Sequence, residues 1–341
     1  GEARGLLVNA GNANAFTGAL GMEAVHACVN VFADELICRP SRIFVASTGV
    51  IGEPLAHELI TTAIPDMVSV ASPAIETTWK EAASAILTTD TFAKGSSKCA
   101  HIGDVKVSIS GISKGSGMIA PNMATMLSFI FTDAVLPSKI LNNIIQPLVH
   151  RTFNSITIDS DTSTSDTFLA FATGAVIGQE LVESEADPIL ADFKTKLEEV
   201  MLDLAHQIVR DGEGASKFVT VSVKEAKNYE SARKICFSIA NSPLVKTAIF
   251  GEDPNWGRIV MAIGKTGEVI KKEQIEISIG GVKITHNGAV EKNYDEKKIA
   301  KYMKGNEIDI IVNMGMGEKK AKVWTCDLSH DYVKINADYR S

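Results

Sequence analysis

Apolar and polar positions along this chain change period repeatedly, and each change marks an element. Residues 5–10 form a short apolar run closed by Gly11, which predicts a buried strand. Over 19–36, Ala24, Val25, Cys28, Val31, Phe32 and Leu36 recur at helical spacing. Residues 42–46 predict a strand that Ser47-Thr48-Gly49 closes, and 53–64 and 73–87 predict helices. Clean alternation over 104–110 predicts a half-buried strand. A glycine-rich stretch from Lys114 then runs into a core strand at 126–131, bounded by Thr132-Asp133. Pro137 opens a helix to Arg151, as proline suits a first turn. A strand follows at 167–173, then the longest helix, 188–210, with Leu197, Val200, Met201, Leu204, Ala205 and Ile208 as its buried stripe. Residues 217–224 alternate again, and 229–240 and 256–263 read as helices. The last third is strand-rich, with strands expected at 274–281, 308–314, 320–327 and 330–335. Strands and helices intermix without strict alternation, so the expected class is α+β rather than doubly wound α/β. Repeats, low-complexity stretches and long linkers are absent from the sequence.

Composition narrows the function classes. Hydrophobic residues make up 45% and charged residues 22%, enough apolar surface for an ordinary globular core in one or two domains. The net charge of −7, with no basic run interleaved with aromatics, argues against nucleic acid or an anionic membrane as partner. Apolar runs stay well short of the about 18 residues a membrane span needs. The five cysteines, Cys28, Cys38, Cys99, Cys236 and Cys326, are widely spaced and form no C-x-x-C, which fits reduced thiols in a cytosol-like compartment. The seven histidines are scattered singly, without an HExxH or an i, i+4 pair, so no metal is expected.

The chemistry concentrates around the loop that starts at Lys114. Gly115 and Gly117 permit backbone angles closed to other residues, and Pro121 biases the preceding residues toward an extended path. Thr125 would then stand at the mouth of the 126–131 strand. A threonine so placed can attack its own preceding peptide bond. Cleavage between Ala124 and Thr125 would free an α-amine beside the Thr125 hydroxyl, the N-terminal-amine form of an activated nucleophile. On spacing alone, a glycine-rich loop before a strand is more often just a plain connector. Thr48-Gly49, between a strand and a helix, offers a backbone N–H and a hydroxyl, the donor set of an oxyanion hole, or a simple turn. Lys114, eleven residues before Thr125, is a point charge for a carboxylate or a solvated lysine. Glu213, flanked by glycines, is adaptable, or a solvated loop acid. Leu87-Thr88-Thr89-Asp90-Thr91 reads locally as turn chemistry at a helix end.

Seven ordered blocks extend this reading over the whole chain: Asn9-Ala-Gly-Asn-Ala-Asn14, Ser47-Thr-Gly-Val-Ile-Gly52, Lys114 through Leu127, Asp159-Ser-Asp-Thr-Ser-Thr164, Gly212-Glu-Gly-Ala-Ser-Lys217, Phe250-Gly-Glu-Asp-Pro-Asn-Trp-Gly-Arg258 and Asn336-Ala-Asp-Tyr-Arg-Ser341. The set resembles the ornithine acetyltransferase (glutamate N-acetyltransferase) family. Chains of that family carry a further few tens of residues before the first block, so the resemblance implies a segment ahead of Gly1. It also implies a layered helix–sheet–sheet–helix sandwich built from two chains, 1–124 and 125–341, which together form one interleaved unit. Thr125 takes the role of nucleophile, and Thr48 and Gly49 form the oxyanion hole. Thr88 (with Thr89 and Thr91 as close competitors), Lys114, Glu213, Asn336 and Ser341 bind substrate. The implied reaction moves acetyl from N2-acetyl-L-ornithine to L-glutamate by a ping-pong route through acetyl-Thr125, without a cofactor, and acetyl-CoA is a further donor in some members. A heterotetramer of two α and two β chains is implied, in the cytoplasm or an organellar matrix.

Two other motifs fail on inspection. Gly264-Lys265-Thr266 ends like a phosphate-binding loop, but Ile259 stands where the first glycine is required. Asp159 through Ala170 is oxygen-rich like a calcium loop, but Thr164 replaces the glycine at its sixth position and Ala170 the closing glutamate. That block reads instead as a turn supporting the site. The 250–257 block, turn-rich before a helix, is expected to play a structural part near the pocket. Competing functions are an amidohydrolase or aminopeptidase of the same self-cleaving architecture, in which water replaces glutamate, and a non-catalytic binding protein that stays one intact chain.

Overall fold

The computed structural model describes residues 1–120 and 126–338. The first of its two bodies is a four-layer stack. Outermost lie α1 (Gly18–Glu35) and α2 (His57–Ser69), with α3 (Glu76–Ala85) further along the chain. Cys28 and Ile64 of these helices pack with Leu7 on a parallel pair, β1 (Gly5–Asn12) and β2 (Ile43–Val50). The other face of that pair contributes Ala46 to a cluster with Ile112, Leu127 and Phe129. Those three belong to a second sheet in the order β3 (Lys94–Ile102), β4 (Val105–Lys114), β5 (Leu127–Thr132) and β6 (Thr167–Ala172). The far face of this sheet is covered by α4 (Ser138–Arg151) and α5 (Ala191–Arg210).

Helix α5 shows why the stack holds. Its Leu197, Val200, Met201, Leu204, Ala205 and Ile208 are each at most 1% exposed. Each large side chain so buried stabilises the fold by roughly 1.5–3 kcal/mol. The helix lies close on the sheet because Gly111 of β4 has no side chain: a β-carbon there would come within 3.0 Å of Leu204.

The second body is a six-stranded sheet in the order β10-β9-β8-β11-β7-β12. Its elements along the chain are β7 (Phe218–Ala226), α6 (Tyr229–Ala240), α7 (Pro243–Phe250), α8 (Trp256–Gly264), β8 (Glu276–Ile279), β9 (Val282–His286), β10 (Ala289–Val290), α9 (Glu296–Met303), β11 (Glu307–Asn313) and β12 (Lys319–Cys326). Ile235, Ile239, Ile259, Ile263 and Ile299 of the helices meet Val221, Ile277 and Ile310 of the strands in one core. The last described element is α10 (His330–Asp338). The class is α+β, as the intermixed periods predict.

Several boundaries move for identifiable reasons. Strand β2 continues through Thr48 and Gly49 instead of stopping before them. Helix α2 starts at His57 rather than near residue 53, because Pro54 disfavours helix at Glu53 and Asn12 Nδ2 holds the Glu53 carbonyl at 3.0 Å. Strand β3 escapes the sequence reading because most of its residues are polar; it forms by pairing along the whole of β4. The strand expected at 330–335 is a helix. Its Val333 and Ile335 alternate with polar neighbours, but Val333 is 66% exposed, so burial on a sheet face is not what orders it. The Ser329 hydroxyl instead receives the Asp331 N–H at 3.1 Å and starts a helical turn.

Candidate active site

The two-stranded sheet sets the first wall of a pocket. In its parallel register Ala10 pairs with Thr48 and Gly11 with Gly49. Gly49 has φ +130°, and a β-carbon on it would sit 2.3 Å from the Gly11 carbonyl carbon. Only glycine fits there, which leaves the backbone at the end of β2 open to a ligand. Just before it, the paired strands are tied by the Ser47 hydroxyl, which donates to Asn9 Oδ1 at 2.6 Å.

The second wall is the end of β4. Lys114 is 4% exposed, and its ammonium donates to the hydroxyls of Thr48 at 3.1 Å and Thr88 at 2.7 Å. Each hydroxyl, accepting from a cation, is left with its own proton to donate. Burial pulls the Lys114 amine below its ordinary value, Asp90 and Glu213 pull it back up, and Lys94 opposes them. Of the three threonines at 88–91, Thr88 and Thr89 line the pocket, whereas Thr91 turns away and donates its N–H to Asp211 at 3.0 Å.

The third wall joins distant parts of the chain. Glu213 is 9% exposed, donates its backbone N–H to the Ser116 carbonyl at 2.8 Å, and receives Asn336 Nδ2 on its carboxylate at 2.7 Å. Helix α10, which carries Asn336, can lie against this loop because Gly214 has no side chain. A β-carbon there would be 2.5 Å from the Tyr332 nitrogen. The loop after Lys114 is held from below by Asp159, whose carboxylate receives the N–H groups of Met118 at 2.6 Å and Ile119 at 3.0 Å. Burial nevertheless raises the Asp159 carboxyl, with the Asp161 charge adding to it. Ser163, Thr164 and Ser165 complete the lining.

Thr48, Gly49, Thr88, Lys114, Glu213 and Asn336 thus surround one polar space of about 80 Å³. The remaining sequence-predicted residues, Ala124, Thr125 and Ser341, lie outside the described residues. Thr125 is followed directly by Met126, whose N–H is received by Asp166 Oδ1 at 3.1 Å. Burial lifts that carboxyl to about 7 against the Met126 hydrogen bond. A larger cavity, about 700 Å³, lies between the start of β1 and β6. It is lined by Leu6, Phe44, Phe131, Leu169 and Phe171, and its charged Glu2 and Arg4 are exposed, so convergent chemistry rather than volume marks the site.

The 250–257 block plays a structural part, as expected, and none of its residues lines the polar space. Its Asn255 side chain receives the Arg258 N–H at 3.1 Å and caps α8, while Arg258 Nη1 donates to the Leu244 carbonyl at 2.7 Å. The sequence reading gave no part in the site to Ser116 or to the buried Asp90, and it ranked Thr89, which also lines the space, behind Thr88. Asp90 lies four residues before Lys94, a charge pairing visible in the sequence but outside any predicted helix.

The ArgJ family profile matches residues 1–341. The arginine biosynthesis bifunctional protein ArgJ of Zymomonas mobilis subsp. mobilis is 52% identical over 341 residues, covering 100% of this chain and 82% of that protein. The protein of the same name from Gluconobacter oxydans is 50% identical over 339 residues, covering 99% of this chain and 79% of that protein. The crystal structure of arginine biosynthesis bifunctional protein ArgJ from Bacillus halodurans aligns at 38% identity with a TM-score of 0.58, covering 61% of this chain and 96% of that chain. Fold, pocket and relatives define an enzyme of arginine biosynthesis that acts on small molecules, an N-acyltransferase. The chain belongs to the ArgJ family. Among the described residues no helix is long and apolar enough to cross a membrane.

Proposed function

We propose that this enzyme transfers the acetyl group of N2-acetyl-L-ornithine to L-glutamate through an acetyl ester on Thr125. The observation that carries the reading is the convergence of Lys114, Glu213, Asn336 and the Thr48 and Thr88 hydroxyls on one small space, at the head of the loop that leads to Thr125. In the first step Thr125 attacks its own preceding carbonyl, and water resolves the resulting ester. Ala124 then ends one chain as a carboxylate, and Thr125 begins another as a free amine. In the transfer, the Thr125 Oγ adds to the acetyl carbonyl and its α-amine takes the hydroxyl proton. The Thr48 hydroxyl and Gly49 N–H receive the oxyanion. The C–N bond breaks, the proton passes to the leaving nitrogen, and ornithine departs. The glutamate amine then attacks the ester by the same steps in reverse, which regenerates Thr125. Lys114 supplies positive charge for substrate carboxylate, Glu213 faces the amino groups, and Thr88, Asn336 and Ser341 complete the binding set.

Residues 1–124 and 125–341 are accordingly two chains of one unit. Their interleaving is supported by β4 and β5, which pair antiparallel from opposite sides of the proposed break. Two such pairs form the proposed heterotetramer, in the cytoplasm or an organellar matrix. The relatives are named bifunctional, and acetyl-CoA is proposed as a further donor for this chain.

An intact-mass spectrum tests the first step: two fragments are expected, the second starting at Thr125. Brief exposure to acetylornithine should then place one acetyl group on that fragment, discharged by glutamate. Thr125→Ala should give an uncut, inactive chain. An active Thr125→Ala enzyme, or acetyl on another side chain, overturns the reading. Release of acetate without glutamate assigns the site to a hydrolase instead.

A further inference from the structure

Behind Lys114 lie three buried charges that the transfer steps leave unused. Lys94 is 0% exposed, and its ammonium donates to Asp90 Oδ1 at 2.6 Å and to Asp211 Oδ2 at 2.5 Å. Asp90, itself at 0% side-chain exposure, has further partners. It receives the Gly115 N–H at 2.6 Å and the Thr88 N–H at 3.3 Å, and lies 3.9 Å from the Lys114 ammonium. Asp211 caps the end of α5, receives the Thr91 N–H, and stands two residues before Glu213. Two ammonium groups and two carboxylates therefore form one buried, charge-balanced cluster.

Such a cluster contributes little net stability, because desolvation offsets most of its attraction, but it fixes geometry. Here it touches the Thr88 turn, the end of β4 with its Gly115 amide and, through Lys114, Thr48 at the end of β2. Asp90 grips the Thr88 turn, the Lys114 ammonium and the Gly115 amide at once. Lys94 joins it to the helix end that leads to Glu213. Burial opposes ionisation of Asp90, but the charges of Lys94 and Lys114 outweigh it and hold the carboxyl below the usual range. The groups facing Lys114 are Asp90, Lys94 and Glu213, with the Thr48 and Thr88 hydroxyls.

We propose that Asp90 is a positioning residue for acyl transfer: backed by Lys94 and Asp211, it aims the Lys114 ammonium at the Thr48 hydroxyl, so that this hydroxyl points its proton at the developing oxyanion. The proposal rests on the oxyanion role given to Thr48 above. Its sign is testable because Asp90 and Lys94 act on Lys114 in opposite directions. Asp90→Asn keeps the shape and the acceptor for Gly115 but removes a negative charge, so Lys114 loses its proton at lower pH. Lys94→Met removes a positive charge, so Lys114 holds its proton to higher pH.

The experiment follows the rate of acetyl-Thr125 formation per cleaved site against pH, alongside a nitrogen NMR titration of the Lys114 ammonium in the free enzyme. The alkaline limb of the rate and the Lys114 titration should both move down by about one unit in Asp90→Asn and up in Lys94→Met. The maximal rate of Asp90→Asn should fall at least about tenfold, with a smaller change in KM. A merely structural role would lower the folded fraction and move neither limb, or move both the same way. Unmoved limbs, or an Asp90→Asn rate within about twofold of the parent, overturn the proposal. If one variant fails to fold, the other decides by its direction. If the parent forms no acetyl-Thr125, the functional reading fails on its own, and the NMR titration still decides whether Asp90 governs Lys114.

Discussion

Gly117 and Glu213 compete for the same space: a β-carbon on Gly117 would lie 2.4 Å from Glu213 Oε2. The absent side chain is therefore what admits the glutamate to the pocket. Gly117→Ala should push the carboxylate aside, because the flexible end of Glu213 yields more easily than backbone does. We expect a loss of at least about tenfold in kcat/KM for glutamate, with a stability change within about 1 kcal/mol by thermal denaturation. Unchanged kinetics would show that the Glu213 position does not matter to turnover.

The Thr48 hydroxyl is cradled by Lys114 and precedes a glycine that tolerates no side chain. Thr48→Val keeps the volume and removes the donor. It should lower kcat by about 10²–10³, while Thr48→Ser, which restores a hydroxyl, should recover much of the rate. Equal activity in Thr48→Val and the parent enzyme would remove Thr48 from the chemistry.

His206 lies edge-on to Phe218 at 5.1 Å and Trp324 at 4.7 Å between ring centres. Burial, with the nearby Arg210 charge, lowers its imidazole to about 4. The fold therefore favours the neutral ring. That contribution is present above about pH 6.5 and is lost as pH falls through 4, at a cost of roughly 3 kcal/mol at most. His206→Phe should flatten the acid limb of stability between those values in denaturant melts. A variant that tracks the parent across that window contradicts the assignment.

Asp166 behaves in the opposite sense. Its carboxyl is lifted to about 7 by burial, so the stability it allows is full below about pH 3.9 and declines as pH rises through 7. Asp166→Asn retains an oxygen for the Met126 N–H and removes the charge. At pH 8 it should melt higher than the parent, by roughly 1–3 kcal/mol, and the difference should vanish in acid. A variant less stable than the parent at pH 8 would mean that the ionised carboxylate is needed there.

Helices whose apolar stripe repeats every three to four residues were legible in the sequence: α5 and α6 fall where that period predicts them. Strand β3 was not, since of its nine residues only Lys94, Ala100 and Ile102 are buried, and its existence depends on β4. Helix α10 was misread because Val333 and Ile335 imitate a strand, while the cap that orders it is a lone serine contact. In the site, family-like blocks pointed to Thr48, Lys114, Glu213 and Asn336, which the fold gathers around one space. The Lys94–Asp211 pair could not be read from the chain, because 117 residues separate its members and neither stands in a motif.

The pairing of β4 with β5 has a further consequence. Six residue pairs, Ile109 with Thr132 through Lys114 with Leu127, knit the sheet across the proposed break. After the break, the same hydrogen bonds and buried strand faces hold two polypeptides instead of one. Folding would then precede cutting as a single-molecule event, whereas recovery from denaturation would require two separate chains to meet. Lifetime, rather than reversible equilibrium, would set how long the mature enzyme lasts once heated.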